Sequence, residues 1–131
     1  MSAELPDPPR PTDAELEILT VLWSQGASTV RTVHEAIVRR KQAQYATVLK
    51  VLQIMAEKGL VRRDETQRAH IYSASRPAEW TQRQLAGDLL RRAFGGSAKS
   101  LLLGALSSRR ASRQEIAELR RFFEDYDKGK P

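Results

Sequence analysis

Gln42-Ala-Gln-Tyr-Ala-Thr-Val-Leu-Lys-Val-Leu-Gln-Ile-Met-Ala-Glu-Lys-Gly59-Leu-Val-Arg-Arg-Asp-Glu-Thr-Gln-Arg-Ala-His-Ile-Tyr-Ser73 changes its hydrophobic period once, at Gly59. Before Gly59, Val48, Val51, Leu52 and Met55 recur at about 3.6-residue spacing and make one apolar helical face. Ala46, Thr47, Lys50 and Gln53 fall on the opposite face, while Leu49 and Ile54 widen the apolar side. Lys58-Gly59 reads as the helix end, because glycine accepts the left-handed backbone of a C-terminal cap. The start is weaker, since Gln42-Ala-Gln44 offers none of the preferred capping residues. Beyond Gly59, residues 60–65 and 69–73 alternate and predict two short strands joined around Thr66-Gln-Arg68. The joint lacks Asn-Gly and Asp-Gly, so its turn type stays open.

Working back toward the start, Thr12-Asp-Ala-Glu15 has capping-box spacing ahead of Leu16, Leu19, Leu22 and Trp23. Gly26 closes that helix, predicted over 13–25. Ser28 or Thr29 caps a second helix with Val30, Val33, Ile37 and Val38 on one face. It exits into Arg39-Arg40-Lys41, where positive charge suits a helix C-terminus. Residues 1–11 are predicted to form a flexible Pro-rich arm, without the basic flank and apolar run of a signal peptide. The longest apolar run, Leu101 to Leu106, falls far short of the ~20 residues that span a bilayer. The expectation is a cytoplasmic chain with no membrane insertion.

Working forward, a fourth helix over about 78–94 carries Trp80, Leu85, Leu89, Leu90, Ala93 and Phe94 and stops at Gly95-Gly96. A shorter helix holds Leu101, Leu102, Leu103 and Leu106. Ser112-Arg-Gln-Glu115 then repeats capping-box spacing before Ile116, Leu119, Phe122, Phe123 and Tyr126. This last third is too small for a secure core of its own. It is expected to bury Leu85, Leu89, the Leu101–Leu103 run, Leu106, Ile116, Leu119, Phe122 and Phe123 against a second copy. A monomer with these helices folded back is the alternative. The predicted organisation is an arm over 1–11, a compact domain over 12–75, a helical dimerisation domain over 76–127 and a frayed tail over 128–131.

The chain has 131 residues, 22 Lys and Arg against 16 Asp and Glu, a net charge of +6 and no cysteine. With 40% apolar and 29% charged residues it reads as globular rather than disordered. The missing cysteines exclude disulfides, thiolate zinc sites, iron–sulfur clusters and a cysteine nucleophile. With only two histidines, His34 and His70, far apart, no metal and no cofactor is expected. No P-loop, dinucleotide glycine pattern or HExxH is present, and an enzyme is not expected. The charge is uneven: residues 38–68 hold eight bases against three acids, whereas residues 1–37 hold two bases against six acids. A local basic excess points to a polyanionic partner.

Three helices followed by a hairpin match the winged helix-turn-helix arrangement, in which the third helix enters the major groove and the hairpin touches the backbone. The fold class is therefore mainly α with a small β-hairpin, a winged helix-turn-helix domain followed by a helical dimerisation arm. Gln44, Ala46, Thr47 and Lys50 are the base-reading candidates by their donor, acceptor and methyl chemistry. Ser28, Thr29, Arg31, Arg39, Arg40, Lys41, Arg62, Arg63 and Arg68 are backbone candidates, and alternation lets only one of Arg62 and Arg63 face DNA. The competing reading is a winged-helix protein-interaction module without specific DNA binding, which the apolar Leu49 and Ile54 would favour.

Five pieces in order carry a family resemblance: Glu15-Leu-Glu-Ile-Leu-Thr-Val-Leu-Trp23, Thr29-Val-Arg31, Tyr45-Ala-Thr-Val48, Glu57-Lys-Gly-Leu-Val61 and Arg68-Ala-His-Ile-Tyr72. With Phe94-Gly-Gly96 and Gln114-Glu-Ile-Ala-Glu-Leu119, the chain resembles the penicillinase-repressor family of BlaI/MecI/CopY type over about residues 12–127. The resemblance implies a homodimeric winged-helix repressor of a palindromic double-stranded DNA operator, dimerised through its C-terminal helices. It carries base reading to Thr47 and its neighbours and a wing contact to Arg68. Copper-responsive members bear C-terminal cysteines, which this chain lacks. In the β-lactamase repressors a membrane sensor peptidase acts indirectly, triggering cleavage at an Asn-Phe bond. The matching segment is Ser100-Leu-Leu-Leu-Gly-Ala105, so the matching bond is Gly104–Ala105 and the cleavage pair is missing. Plain dimer core is the favoured expectation for that helix.

Overall fold

Thr12 and Glu15 cap the first helix reciprocally. The Thr12 hydroxyl accepts from the Glu15 amide at 3.2 Å, and the Glu15 carboxylate accepts from the Thr12 amide at 2.9 Å. In the computed structural model, which describes residues 7–129, this helix is α1 (Asp13–Gln25). There follow β1 (Ser28–Thr29), α2 (Val30–Val38), α3 (Tyr45–Lys58), β2 (Val61–Asp64), β3 (Ile71–Ala74), α4 (Ala78–Ala93), α5 (Ala98–Ser108) and α6 (Arg113–Asp127). Residues 1–6 of the Pro-rich segment and 130–131 of the tail lie outside the described residues. The chain divides into two compact units, one ending at Leu85 and the other beginning at Ala86.

In the first unit, α1, α2 and α3 pack around Ile18, Leu19, Leu22, Val33, Ile37, Val48, Leu52 and Met55, all buried. Leu52, Met55 and Val33 have no exposed surface, so truncating Leu52 to alanine would cost about 2–5 kcal/mol. Two sequence expectations shift here. Ile18 and Val21 join the core while Leu16 is only partly buried. Val38 is 46% exposed, because it falls one position, about 100°, round the helix from the buried Ile37.

Gly59, at φ 82°, takes the left-handed cap that ends α3. Its successors Leu60 and Val61 drop into the core and start the sheet. The strands are shorter than the alternation suggests. β2 and β3 pair antiparallel with Arg63 opposite Tyr72, and the connection runs from Glu65 to His70. It opens with Asp64 accepting from both the amide and the hydroxyl of Thr66, at 2.9 and 2.7 Å. These bonds, the amide's first, hold the Asp64 carboxyl below its usual range. The hairpin is completed by a strand that the sequence did not reveal: β1 pairs with β3, Ser28 opposite Tyr72, giving the order β1-β3-β2. Tyr72, 1% exposed, is the centre of that sheet.

Arg76 gathers the segments around the start of α4. Its carbonyl accepts from the Trp23 indole at 3.0 Å, its guanidinium lies 4.4 Å from the Trp80 ring centre, and it pairs with Asp7 at 3.5 Å.

The second unit is held differently. Gly96, at φ 82°, turns the chain after α4 and its amide donates to the Leu90 carbonyl at 2.9 Å. Ser97 and Ser112 cap α5 and α6 through their hydroxyls. Gly104 faces Phe94, where an added Cβ would stand 3.5 Å from that ring, an ordinary van der Waals contact. Asp88 holds Arg92 at 2.9 Å along α4. No residue of α5 or α6 is buried. Among the described residues no helix is long and apolar enough to cross a membrane.

One ion pair locks the first unit. The second oxygen of Glu15 accepts from Lys58 at 2.7 Å, tying the start of α1 to the end of α3. Burial pushes the Glu15 carboxyl up, but the Lys58 and Thr12 hydrogen bonds outweigh it and hold the pKa below the ordinary 4.5. A depressed native pKa means the stabilisation is complete above the unfolded value and is lost as pH falls through the native one. Glu15→Gln is therefore expected to cost about 1–3 kcal/mol in urea melts at pH 7. The same substitution should cost much less once acid has protonated the native carboxyl. An equal loss at both pH values would show that the pair's charge is irrelevant.

Candidate nucleic-acid interface

Because Val48, Leu52 and Met55 face inward, the helical period turns Ala46, Thr47, Lys50 and Gln53 outward, and all four are exposed. Gln44 is the N-cap of α3, exposed and making no side-chain capping bond. The α2–α3 turn is exposed and basic through Arg39, Arg40 and Lys41. Lys41, however, is held across to α1 by Glu17 at 2.8 Å, so it braces the turn.

Beside the exposed row of α3 lies a groove of about 550 Å³, lined by Thr29, Arg31, Tyr45, Gln53, Arg63, Arg68, His70 and Tyr72 among others. Three arginines from separate parts of the sequence thus converge next to α3. Arg31 is exposed, with Glu35 3.6 Å away one helical turn on. Arg63 is drawn toward the sheet: Tyr72 hydrogen-bonds it and, with Glu65 at 2.7 Å, raises its already high pKa. Arg62 is exposed on the other face of β2. Arg68 stands exposed in the wing loop.

The site residues read from sequence therefore separate. Arg31 and Arg68 line the groove with Thr29 and Gln53, whereas Gln44 and Thr47 line a separate pocket with Lys41 and Glu17; Ala46 and Lys50 are exposed and line neither. Ser28 does not belong with them. It is 6% exposed, and its hydroxyl donates to the Gly26 carbonyl at 2.8 Å because β1 draws it into the sheet. Thr29, not Ser28, caps α2, accepting from the Thr32 amide at 3.2 Å. His70 lies in the wing loop rather than in a strand, because β3 starts only at Ile71. Gln53, Tyr45 and His70 were missed as groove residues. Only Gln53 had a signal, three positions beyond Lys50 on the same face.

Of the apolar dimerisation candidates, Leu85 belongs to the first unit and is partly buried. In the second unit Leu101, Leu102, Ile116 and Leu119 are partly buried, while Leu89, Leu103, Leu106, Phe122 and Phe123 are exposed. Phe122 stacks with Tyr126 at 6.0 Å and meets Phe123 edge-on at 6.1 Å. Gly104–Ala105 sits inside α5, with its backbone helical. Among the described residues no cluster of His, Asp and Glu could hold a metal ion.

A helix-turn-helix with its second helix bared on one side, followed by a β-hairpin that β1 extends to three strands, makes this a winged-helix protein. Comparison with known proteins gives the family. The chain belongs to the penicillinase repressor family, whose model matches residues 11–125. The transcriptional regulator BlaI of Mycobacterium tuberculosis is 44% identical over 62 residues, 47% of this chain. That match spans 45% of the relative, less than half its length. The penicillinase repressor of Staphylococcus aureus is 22% identical over 115 residues, 88% of this chain and 91% of that one. The solution structure of the DNA binding domain of the repressor BlaI has the same fold. It gives a TM-score of 0.50 at 20% identity, over 56% of this chain and 90% of that domain. The family consists of transcriptional regulators, not enzymes.

Because Thr47 and Gln53 are exposed and, among the described residues, make no side-chain hydrogen bond or ion pair that holds the fold, Thr47→Ala and Gln53→Ala are expected to change folding stability by no more than about 0.5 kcal/mol. Thermal melts of each variant check this. A loss comparable to a core truncation would mean the row is packed rather than presented.

Proposed function

We propose that this chain is a sequence-specific transcriptional repressor, acting in the cytoplasm as a homodimer on a palindromic double-stranded DNA operator. α3 lies in the major groove, where Gln44, Ala46, Thr47 and Lys50 meet base edges. Gln44 offers paired donor and acceptor groups to adenine, Lys50 a donor to guanine, and Ala46 and Thr47 methyl contact to thymine. Arg31, Arg39, Arg40 and Arg68 take phosphates, with the α2 N-terminus at Thr29 adding backbone amides. Arg62 serves as the freer of the two β2 arginines, while Arg63 stiffens the wing.

One observation carries the reading: Gln53, at the end of the exposed row of α3, lines a groove in which Arg31, Arg63 and Arg68 converge. The interaction-module alternative loses ground because Leu49 packs against the core and Ile54 is partly buried.

Homodimerisation draws support from the second unit. Helices α5 and α6 have no fully buried residue, yet expose Leu103, Phe122 and Phe123. A second copy covers that surface. A membrane sensor peptidase enters only indirectly. Cleavage at Gly104–Ala105 would first require α5 to unwind, since proteases bind extended chain.

Salt titration of binding to duplex DNA tests the proposal. The affinity should fall steeply with salt, by a log–log slope of about −0.9 for each phosphate contact. A flat response, or no binding at low salt, would contradict DNA binding altogether. Within that experiment the roles divide. Lys50→Ala should cost about 1–3 kcal/mol on the preferred sequence and relax preference at one base, whereas Arg68→Ala should weaken all sequences and reduce the slope by about 1. Sedimentation should give a dimer for the natural chain and a monomer for the Phe122→Asp, Phe123→Asp double variant. A natural chain that sediments as a monomer would rule out the dimer.

A further inference from the structure

Helix α3 begins without a side-chain cap, because Gln44 makes no capping hydrogen bond. Something else must hold its first turn where it stands. Two contacts do so, and both come from one ring. His34, partly buried on α2, places Nε2 2.8 Å from the Ala43 carbonyl. A carbonyl only accepts, so Nε2 carries the proton and donates. The same imidazole meets the Tyr45 ring edge-on, with centres 5.6 Å apart and planes at 74°.

Ala43 packs against the core and Tyr45 is the first residue of α3, so His34 grips the chain on both sides of the uncapped Gln44. Tyr45 is 48% exposed and lines the groove with Arg31, Arg68 and His70. A shift of this turn would move Gln44, Ala46 and Thr47 together. The core seam at Val48, Leu52 and Met55 would hold the rest of α3 in place.

We infer that His34 is a positioning residue for recognition: through Ala43 and Tyr45 it sets the register of the first turn of α3 against DNA. The inference rests on the DNA-binding role proposed for α3. His34 touches no base itself. Its effect should therefore fall on discrimination between sequences and not on general attraction to phosphate, which the arginines supply.

The test begins with the natural chain and a random-sequence duplex library, from which a preferred duplex is enriched. Affinities for that duplex and for the unselected library are then measured at one salt concentration, with thermal midpoints alongside, for the natural chain, His34→Leu and His34→Gln. His34→Leu should lose about tenfold on the preferred duplex, the size of a typical base mismatch, with library affinity unchanged. His34→Gln keeps an N–H donor and should recover most of the loss. Should His34→Leu fail to fold, Tyr45→Leu at an exposed position tests the ring contact by the same two affinities and should lose in the same direction. An unchanged ratio of preferred to library affinity in the folded variants would overturn the inference, and so would a parallel fall of both affinities with the thermal midpoint. Failure of the natural chain to enrich any duplex would instead overturn the DNA-binding proposal, and the positioning role with it, before any variant is made.

Discussion

The buried seam of α3 is the constraint on which the rest depends. Val48, Leu52 and Met55 lie against α1, α2 and the sheet with almost no exposed surface. At about 3.6 residues per turn, burying those three leaves Ala46, Thr47, Lys50 and Gln53 no direction but outward. The surrounding contacts fix the helix at both ends. Glu15 holds Lys58 at the C-terminal end, and His34 holds Ala43 and Tyr45 at the N-terminal end. Tyr72, buried at the middle of the sheet, stands opposite Arg63, one of the two wing arginines that line the groove beside α3. A single seam of apolar side chains thus presents a polar face and aligns the wing beside it.

Local signals made much of this legible in the sequence. The Thr12/Glu15 cap, the left-handed Gly59 and the change of period after it located α1, α3 and the strands to within a few residues. The exposed row of α3 followed from the same periodicity. What escaped depends on distance along the chain. Glu15 read only as a cap, because its second partner, Lys58, is 43 residues away. β1 is two residues long, too short for any alternation, and it carried Ser28 from the surface into the sheet. Lys41 and Arg63 read as free cations until their partners Glu17 and Glu65 came into place. Among the charges of the basic segment, geometry therefore separates braces from free groups where composition could not.

The second unit poses the opposite problem, in that its elements were easy to read and its purpose is not internal. Ser97 and Ser112 cap its helices, and Gly95 and Gly96 separate α4 from α5. Yet its apolar side chains, with Phe122, Phe123 and Tyr126 stacked along α6, enclose no core. Amphipathic helices gain most of their stability from packing of the apolar face, and large exposed apolar patches mark interaction surfaces. Gly104 faces the Phe94 ring from the middle of α5. With no cysteine in the sequence, no thiolate is on hand as a metal ligand.

Backbone amide shifts of the labelled full chain, followed by NMR on titration with a duplex enriched from random sequence, test the role of α3 most directly. The largest changes should fall on Ala46, Thr47 and Lys50 and on Arg68 in the wing, with the aromatic row of α6 unmoved. Changes confined to Phe122, Phe123 and Tyr126, with α3 silent, would contradict it.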